Sequence, residues 1–294
     1  MRKTVLLVIF FVFYAVLVTA VLLAVRFPKD LFLTGAVMRL EQAFPGSTWS
    51  ISDVSMRYPA AVVFGGVQVD HEVTGRPVPI EEVVVEIDRQ HPLSGFSTRF
   101  NVLGAEVAGE LRYDQQQQLL HLPAVAVQGM DLARLPGLAD RLERQFEGSV
   151  TFTGTYRKSL RQQDSGTLQG TVRIENLHFP LKRPILRENS LHFAALSAQI
   201  EASGALISLS QGQATGPSYS GSFSGQVRLN RPWEESEVEV FGEFQAQPEY
   251  LSRKSHLARS FALLGKTYGE GPIPCTIRGN LTGPIFAFGR GQRP

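Results

Sequence analysis

The sequence predicts a mainly β protein: a single N-terminal transmembrane helix followed by a curved antiparallel β-sheet domain with a few short amphipathic helices. Three observations predict it. An uncharged apolar run occupies Thr4–Val25, strand-period alternation extends from Trp49 towards the C-terminus, and glycines recur inside strands where core side chains belong.

The run TVLLVIFFVFYAVLVTAVLLAV holds only Thr4, Tyr14 and Thr19 as polar side chains across its 22 residues. At ~1.5 Å per residue, a helix of that length crosses a hydrocarbon core of ~30 Å. Arg2 and Lys3 precede it, while Arg26, Lys29 and Asp30 follow. The positive-inside rule then orients the N-terminus towards the cytoplasm. A cleaved signal peptide is the competing reading, with Val18-Thr19-Ala20 as its cleavage site. The run continues to Val25, past the ~7–15 residues of a signal h-region, which favours a retained anchor. The chain accordingly divides into a cytoplasmic stub and anchor (1–26), a juxtamembrane linker or helix (27–46) and a β-rich domain (47–294).

Composition excludes several classes. Arg2 and Lys3 account for two of 29 basic residues, which leaves 27 against 27 acids beyond the anchor. A nucleic-acid binder concentrates a basic excess on one face, so nucleic acid is not an expected partner. Cys275 is the only cysteine, so no intramolecular disulfide forms and no lipoprotein cysteine follows the apolar run. Twenty-seven glycines, with abundant Val, Ser, Thr and aromatics, favour β structure.

Alternation at period 2 defines the strands. It is clearest at Val83-Val85-Ile87, Val107-Gly109-Leu111-Tyr113, Val150-Phe152-Gly154-Tyr156 and Leu168-Gly170-Val172-Ile174. It recurs at Tyr219-Gly221-Phe223-Gly225-Val227-Leu229 and Ile277-Gly279-Leu281-Gly283-Ile285. Intervening positions are mostly polar, as in an antiparallel sheet covered on one side. Gly109, Gly154, Gly170, Gly221, Gly225, Gly279 and Gly283 all take the apolar phase. Such glycines mark either strong curvature of one sheet or close packing of two. A Gly-x-x-x-Gly pattern with an apolar residue two places on occurs at Gly166/Gly170/Val172, Gly221/Gly225/Val227 and Gly279/Gly283/Ile285. It reads as duplicated meanders or as coincidence among many glycines.

Three segments carry helical spacing. Leu31–Phe44 aligns Leu33, Val37, Leu40 and Phe44. Leu132–Phe146 aligns Leu135, Leu138, Leu142 and Phe146, with Pro136 in its first turn. Arg253–Tyr268 sets Leu257, Phe261 and Leu264 opposite Arg253, Lys254, Arg259 and Lys266. This basic amphipathic stripe either caps the open end of a sheet or lies on an anionic membrane. Gln115–Gln118 after Asp114 reads as a polar hairpin turn.

Reactive groups in catalytic spacing are missing from the sequence. The histidines at 71, 91, 121, 178, 192 and 256 include no i, i+4 pair, and all but His71, which lies between Asp70 and Glu72, adjoin an apolar or proline residue. Cys275 has no flanking cations and reads as structural. GSFSG (Gly221–Gly225) has Phe223 where a nucleophile elbow needs serine. Glu81-Glu82 and Glu234-Glu235 read as solvated strand ends, because adjacent strand residues face opposite ways. No phosphate-binding loop is present. The expectation is a non-enzyme with no catalytic, cofactor-binding or metal-ligating residues.

The order of elements carries a resemblance. A short N-terminal span precedes Trp49-Ser50-Ile51 and the segment Tyr58-Pro59-Ala60-Ala61-Val62-Val63-Phe64-Gly65-Gly66-Val67. The middle holds Met130-Asp131-Leu132-Ala133-Arg134-Leu135-Pro136-Gly137-Leu138, then Glu147-Gly148-Ser149-Val150. The chain closes on Ile277-Arg278-Gly279-Asn280-Leu281-Thr282-Gly283-Pro284-Ile285. This resembles the type II secretion system protein N family over nearly the whole length. Its closing G-x-L-x-x-P pattern is similar to the AsmA-like group of membrane-anchored periplasmic β proteins. The resemblance implies a single-pass bacterial inner-membrane protein, its N-terminus cytoplasmic and its β domain periplasmic, with an AsmA-like, taco-shaped curved sheet. It implies an accessory, non-catalytic role in type II protein secretion, with other secretion components as partners. The AsmA-like side implies contact with lipid in envelope transport or outer-membrane maintenance. Gly279, Leu281 and Pro284 match the closing pattern as structural residues. An acyl-chain groove must stay open, whereas a scaffold closes it with large side chains. Phe152, Tyr156, Tyr219 and Phe223 share the apolar phase and lean towards the scaffold. A periplasmic hydrolase lacks any nucleophile–base arrangement.

Overall fold

A computed structural model describes Tyr14, Val18 and residues 29–289, apart from 45, 58–60, 72–75, 89–90, 92–93, 115 and 160–165. The predicted anchor Thr4–Val25 lies outside the described residues except Tyr14 and Val18, both helical. Among the described residues no helix is long and apolar enough to cross a membrane.

The chain enters through helix α1 (Lys29–Ala43), which packs on strand β1 (Ser47–Arg57). From there the backbone is one antiparallel meander. The strands are β2 (Ala61–His71), β3 (Val78–Ile87), β4 (Gly95–Val102), β5 (Ala105–Asp114), β6 (Leu119–Asp131) and β7 (Glu147–Ser159). They continue with β8 (Thr167–Ile185), β9 (Glu188–Ser203), β10 (Leu206–Thr215), β11 (Tyr219–Arg228), β12 (Glu237–Ala246), β13 (Ile273–Asn280) and β14 (Ile285–Phe288). Among the described residues every strand pairs only with its sequence neighbours, in a single open fourteen-stranded sheet. Of the expected polar hairpin turn at Gln115–Gln118, Gln115 lies outside the described residues and Gln116, Gln117 and Gln118 form a turn, with Asp114 Oδ1 accepting from the Gln116 and Gln117 amides at 2.9 and 3.0 Å.

The outward phase is polar and tied by cross-strand pairs such as Arg57–Glu82 at 2.8 Å and Arg278–Glu239 at 3.1 Å. β1–β3 differ by burying residues on both faces. Ile51, Val67 and Ile80 stand in one cross-strand row, whereas Val54, Phe64 and Val83 stand in a row of opposite parity. Val54 is wholly enclosed. Elsewhere the sheet is one layer thick and bends. Pro123 of β6 falls at a bulge between Leu122 and Val125, where its missing N–H breaks no ladder bond. Gln211 of β10, at φ 51°, is the bulged residue against both neighbours.

Four of the apolar-phase glycines, Gly154, Gly170, Gly221 and Gly225, sit where a neighbouring strand's backbone comes too close for a Cβ, and with one sheet among the described residues close packing of two sheets is not the arrangement. Gly154 and Gly170 pair across β7 and β8 under the Phe152 ring. A methyl at either would fall onto a neighbouring strand's carbonyl oxygen, that of Gln169 or Thr153. Gly221 and Gly225 of β11 meet Glu243 and Glu239 carbonyls in the same way. Phe223 stands between Gly212 and Gly242, its partners on the two flanking strands. An aromatic ring laid over a cross-strand glycine covers the backbone that the crease exposes.

Two expected elements are corrected. Leu132–Phe146 is not one helix: a 3-10 turn at Leu132–Arg134 is followed, after an interruption, by α2 (Leu138–Leu142). Pro136 forces Leu135 into an extended conformation (ψ 113°), and Gly137 then turns left-handed at φ 74°. Pro136 therefore separates the two pieces instead of opening a helix. Ile277–Ile285 is not one alternating strand either. Gly279 adopts φ 119°, and Asn280 Oδ1 accepts from the Gly283 amide at 2.8 Å, closing a tight turn between β13 and β14. The third copy of the glycine pattern lies in that turn, so the repeat is not structural. The third helical segment forms α3 (Pro248–Arg253) and α4 (Ser255–Tyr268).

Curvature through glycine makes a test with an internal contrast. Gly170→Ala, like Gly154→Ala, drives a methyl into a backbone oxygen and is expected to destabilise by about 1–3 kcal/mol. Gly265 of α4 has open space around its Cβ position. Gly265→Ala is expected to stabilise by about 0.5–1 kcal/mol. Thermal unfolding of the three variants measures both signs.

Candidate functional site

The bent half of the sheet encloses a cavity of about 940 Å³. That lies near the top of the ~300–1,000 Å³ range of small-molecule sites. Seven consecutive strands, β8–β14, form its wall through their inward phase: Leu177 and Phe179, Leu191 and Phe193, Tyr219 and Phe223, Val240 and Phe244, Ile277 and Phe286. At about 4.8 Å per strand the wall arcs over roughly 29 Å, close to two lipid-leaflet thicknesses. These residues are mostly half-buried, so the apolar face remains open to an occupant.

Closure comes from the long β8–β9 hairpin. Its outer part, Leu177–Phe193, is an arm that reaches across the cavity towards β14, so strands six places apart in the sheet share one interior. Two contacts pin it. Lys182 Nζ donates to the Thr282 carbonyl in the β13–β14 turn at 3.1 Å. At the arm's tip Glu188 pairs with Lys254, between α3 and α4, at 2.7 Å. The segment after α2 packs Phe146 edge-on against Phe179 at 5.4 Å, which delivers Arg144 to the cavity wall.

The other end is plugged by aromatics. Phe261 of α4 stacks on Tyr219 at 6.3 Å and meets Phe244 at 5.7 Å, while Phe244 also contacts Phe286 and Phe288. Leu257 is fully buried, and Phe261 and Leu264 are half-buried. The apolar stripe of the basic helix therefore faces the sheet end. Arg253, Arg259 and Lys266 point to solvent.

Electrostatics follow from these enclosures. Burial first, then Tyr250 and Glu188, push the Tyr219 phenol well above its ordinary value. Burial opposes the charge on Glu188, yet hydrogen bonds from Lys254 and Tyr250 outweigh it and hold the carboxyl below 4.5. Glu188 and then Tyr250 hold Lys254 above 10.5. Burial, assisted by Glu243, pushes the Cys275 thiol up to about 11. Cys275 lines the cavity wall and is an unreactive neutral group there.

The remaining singled-out residues fall elsewhere. Glu81 and Glu82 lie within β3, not at its end, and Glu82 binds Arg57. Glu234 and Glu235 form a 3-10 turn with Trp233. Burial, then Arg157 and Arg112 on the flanking strands, hold His121 below its ordinary value. One arrangement escaped sequence reading: His178 and His192 stack at 4.3 Å on the arm's outward face, next to Glu147 and Ser190. They are cross-strand partners in the β8–β9 hairpin. Only the register brings them together, and no local spacing signals it. Among the described residues no group of three or more His, Cys, Asp or Glu is placed to hold a metal ion.

The latch at Glu188–Lys254 gives a pH signature. With its folded value lowered, Glu188 contributes stability above the ordinary carboxyl value of 4.5 and loses it as pH falls through the folded value. Lys254, with its value raised, contributes fully below 10.5 and loses its part above that. Between about pH 5 and pH 3 the melting temperature is expected to fall more steeply in the native protein than in Glu188→Gln, with a difference of a few degrees.

Compared with known proteins, the chain matches no family model, no curated protein and no solved structure.

Proposed function

We propose that this protein is a non-catalytic, membrane-tethered envelope component whose groove holds the acyl chains of a lipid. One observation carries the reading: a single-layer sheet leaves a continuous apolar wall around a 940 Å³ cavity, lined on β8–β14 by aliphatic and aromatic side chains. Exposed apolar surface of that extent is retained where something covers it. Acyl chains match the wall in chemistry, and its ~29 Å arc is about twice the ~15 Å of one leaflet, room for chains from one lipid laid along it. In this reading Thr4–Val25 tethers the chain to a bacterial inner membrane with its N-terminus cytoplasmic, and the sheet works in the periplasm. Transport or storage of envelope lipid, the AsmA-like role, is the function.

A second reading is an accessory, scaffolding role in type II secretion. It is favoured by the quoted motifs and by Phe152 and Phe223, whose rings fill the creases at Gly154/Gly170 and Gly212/Gly242. Those rings occupy the bends, while the cavity between β8 and β14 stays open. Deletion of the gene separates the readings. Unchanged export of secreted enzymes would count against the scaffold, and unchanged envelope lipid composition would count against lipid handling.

The direct test is occupancy. Purified protein is expected to carry lipid identifiable by mass spectrometry, and Cys275 reports on the same site. At pH 8 a thiol raised from 9.0 to about 11 has roughly a hundredfold less thiolate. Alkylation of Cys275 is therefore expected to run about a hundredfold slower than that of a free thiol, and slower still with lipid bound. Detergent-free protein without lipid, and without exchange of added lipid, would sink the proposal.

A further inference from the structure

The cavity is not apolar throughout. At the β13–β14 turn its lining includes Arg144 and Lys182, and Arg183, also on the lining, follows Lys182 on the arm. Arg144 Nη2 and Lys182 Nζ both donate to the Thr282 carbonyl oxygen, each at 3.1 Å, so the two cations lie within about 6 Å of one another. Like charges held that close need a counter-ion. The only carboxylate there among the described residues is Glu143, 3.1 Å from Lys182 and largely exposed. Arg144 is anchored through Nε to the Leu142 carbonyl at 3.2 Å, and among the described residues its Nη1 has no partner. Arg183, next to Lys182 on the arm, is exposed and has no ion-pair partner among the described residues. Three cations against one acid leave an excess of two positive charges where the apolar wall ends.

We infer that this mouth binds the phosphate head group of an anionic lipid whose acyl chains lie along the β8–β14 wall. The inference rests on the groove reading above and adds the head-group class. A phosphomonoester carries about −1.5 to −2 charges near neutral pH, close to the excess, whereas a carboxylate carries only one. Guanidinium groups match phosphate oxygens with paired hydrogen bonds, which favours phosphate further. Glu243, the acid among the lining residues, belongs to the polar phase of β12 and neighbours Cys275 rather than the mouth. Glu188 is engaged with Lys254 at the arm's tip. Both leave the positive excess uncompensated. The polarity is what an amphiphile requires: charge at one end of the cavity, aromatic plug at the other.

The test uses the full chain in a mild detergent with mixed micelles of three lipids sharing the same acyl chains. These are a phosphatidic acid, a phosphatidylcholine and a diacylglycerol, and native mass spectrometry counts each lipid bound. Phosphatidic acid is expected to be retained at least about tenfold over the other two, the scale of a charge-assisted contact. Arg183→Glu changes an exposed side chain that holds no part of the fold, and should erase that preference while diacylglycerol still binds. Equal retention of all three lipids, or a preference that survives Arg183→Glu, overturns the head-group assignment and leaves the groove. Retention of none, diacylglycerol included, overturns the groove reading and the head-group site with it.

Discussion

A β-sheet one layer thick has no second layer to cover its apolar face, and the rest of this structure answers that constraint. Fourteen strands in sequence order give a ribbon with a polar outside and an apolar inside. Hydrophobic burial then demands that the ribbon curl, and backbone sterics decide where it does so. At Gly154, Gly170, Gly221 and Gly225 the neighbouring strand's carbonyls come too close for any Cβ. Glycine weakens a strand locally, yet here it permits the bend that brings β8 and β14 to one interior. Phe152 and Phe223 return part of the lost packing by lying over the creases.

The curl is completed by contacts made at a few points rather than by a broad layer. The β8–β9 arm carries the apolar lid, and its ends are fixed by Lys182 on the Thr282 carbonyl and by Glu188 on Lys254. Neither side chain of the latch is freely solvated, with 17% and 37% of the two surfaces exposed, so the ion pair has more weight than a surface pair. The same arm places cations at one end of the cavity while α4 places aromatics at the other. A closing device and an oriented binding site are thus one piece of chain.

Much of the fold was legible because period-2 alternation is a local signal. Val107–Tyr113, Val150–Tyr156 and Leu168–Ile174 are strands as their patterns require, while the glycines in the same phase fitted a bent sheet and two closely packed sheets equally well. The failures have physical reasons too. Leu132–Phe146 keeps a helical stripe, but Pro136 and Gly137 override spacing through backbone geometry. Ile277–Ile285 keeps strand alternation through a turn, because the Asn280 side chain satisfies the amide that a strand partner would have taken. The site itself was less legible. Lys182, Arg183 and Arg144 are unremarkable surface cations in sequence, and only the reach of the arm collects them. Tyr219 and Phe223 read as filling for the interior, whereas they form its wall and leave it hollow.

The strictly sequential meander has a consequence for the way such a chain grows and comes apart. With each strand bonded only to the one before and the one after, cohesion is nearly one-dimensional, as in a stack of repeats. Structure can build from one end as the chain emerges, without waiting for a distant segment to complete a pair. Unravelling from the short β14 edge would free the arm first and uncover the interior while β1–β6 stayed whole. The terminal hairpin is thereby the most economical hinge in the molecule: an opening of two strands at one margin exposes the hollow without unfolding the remainder.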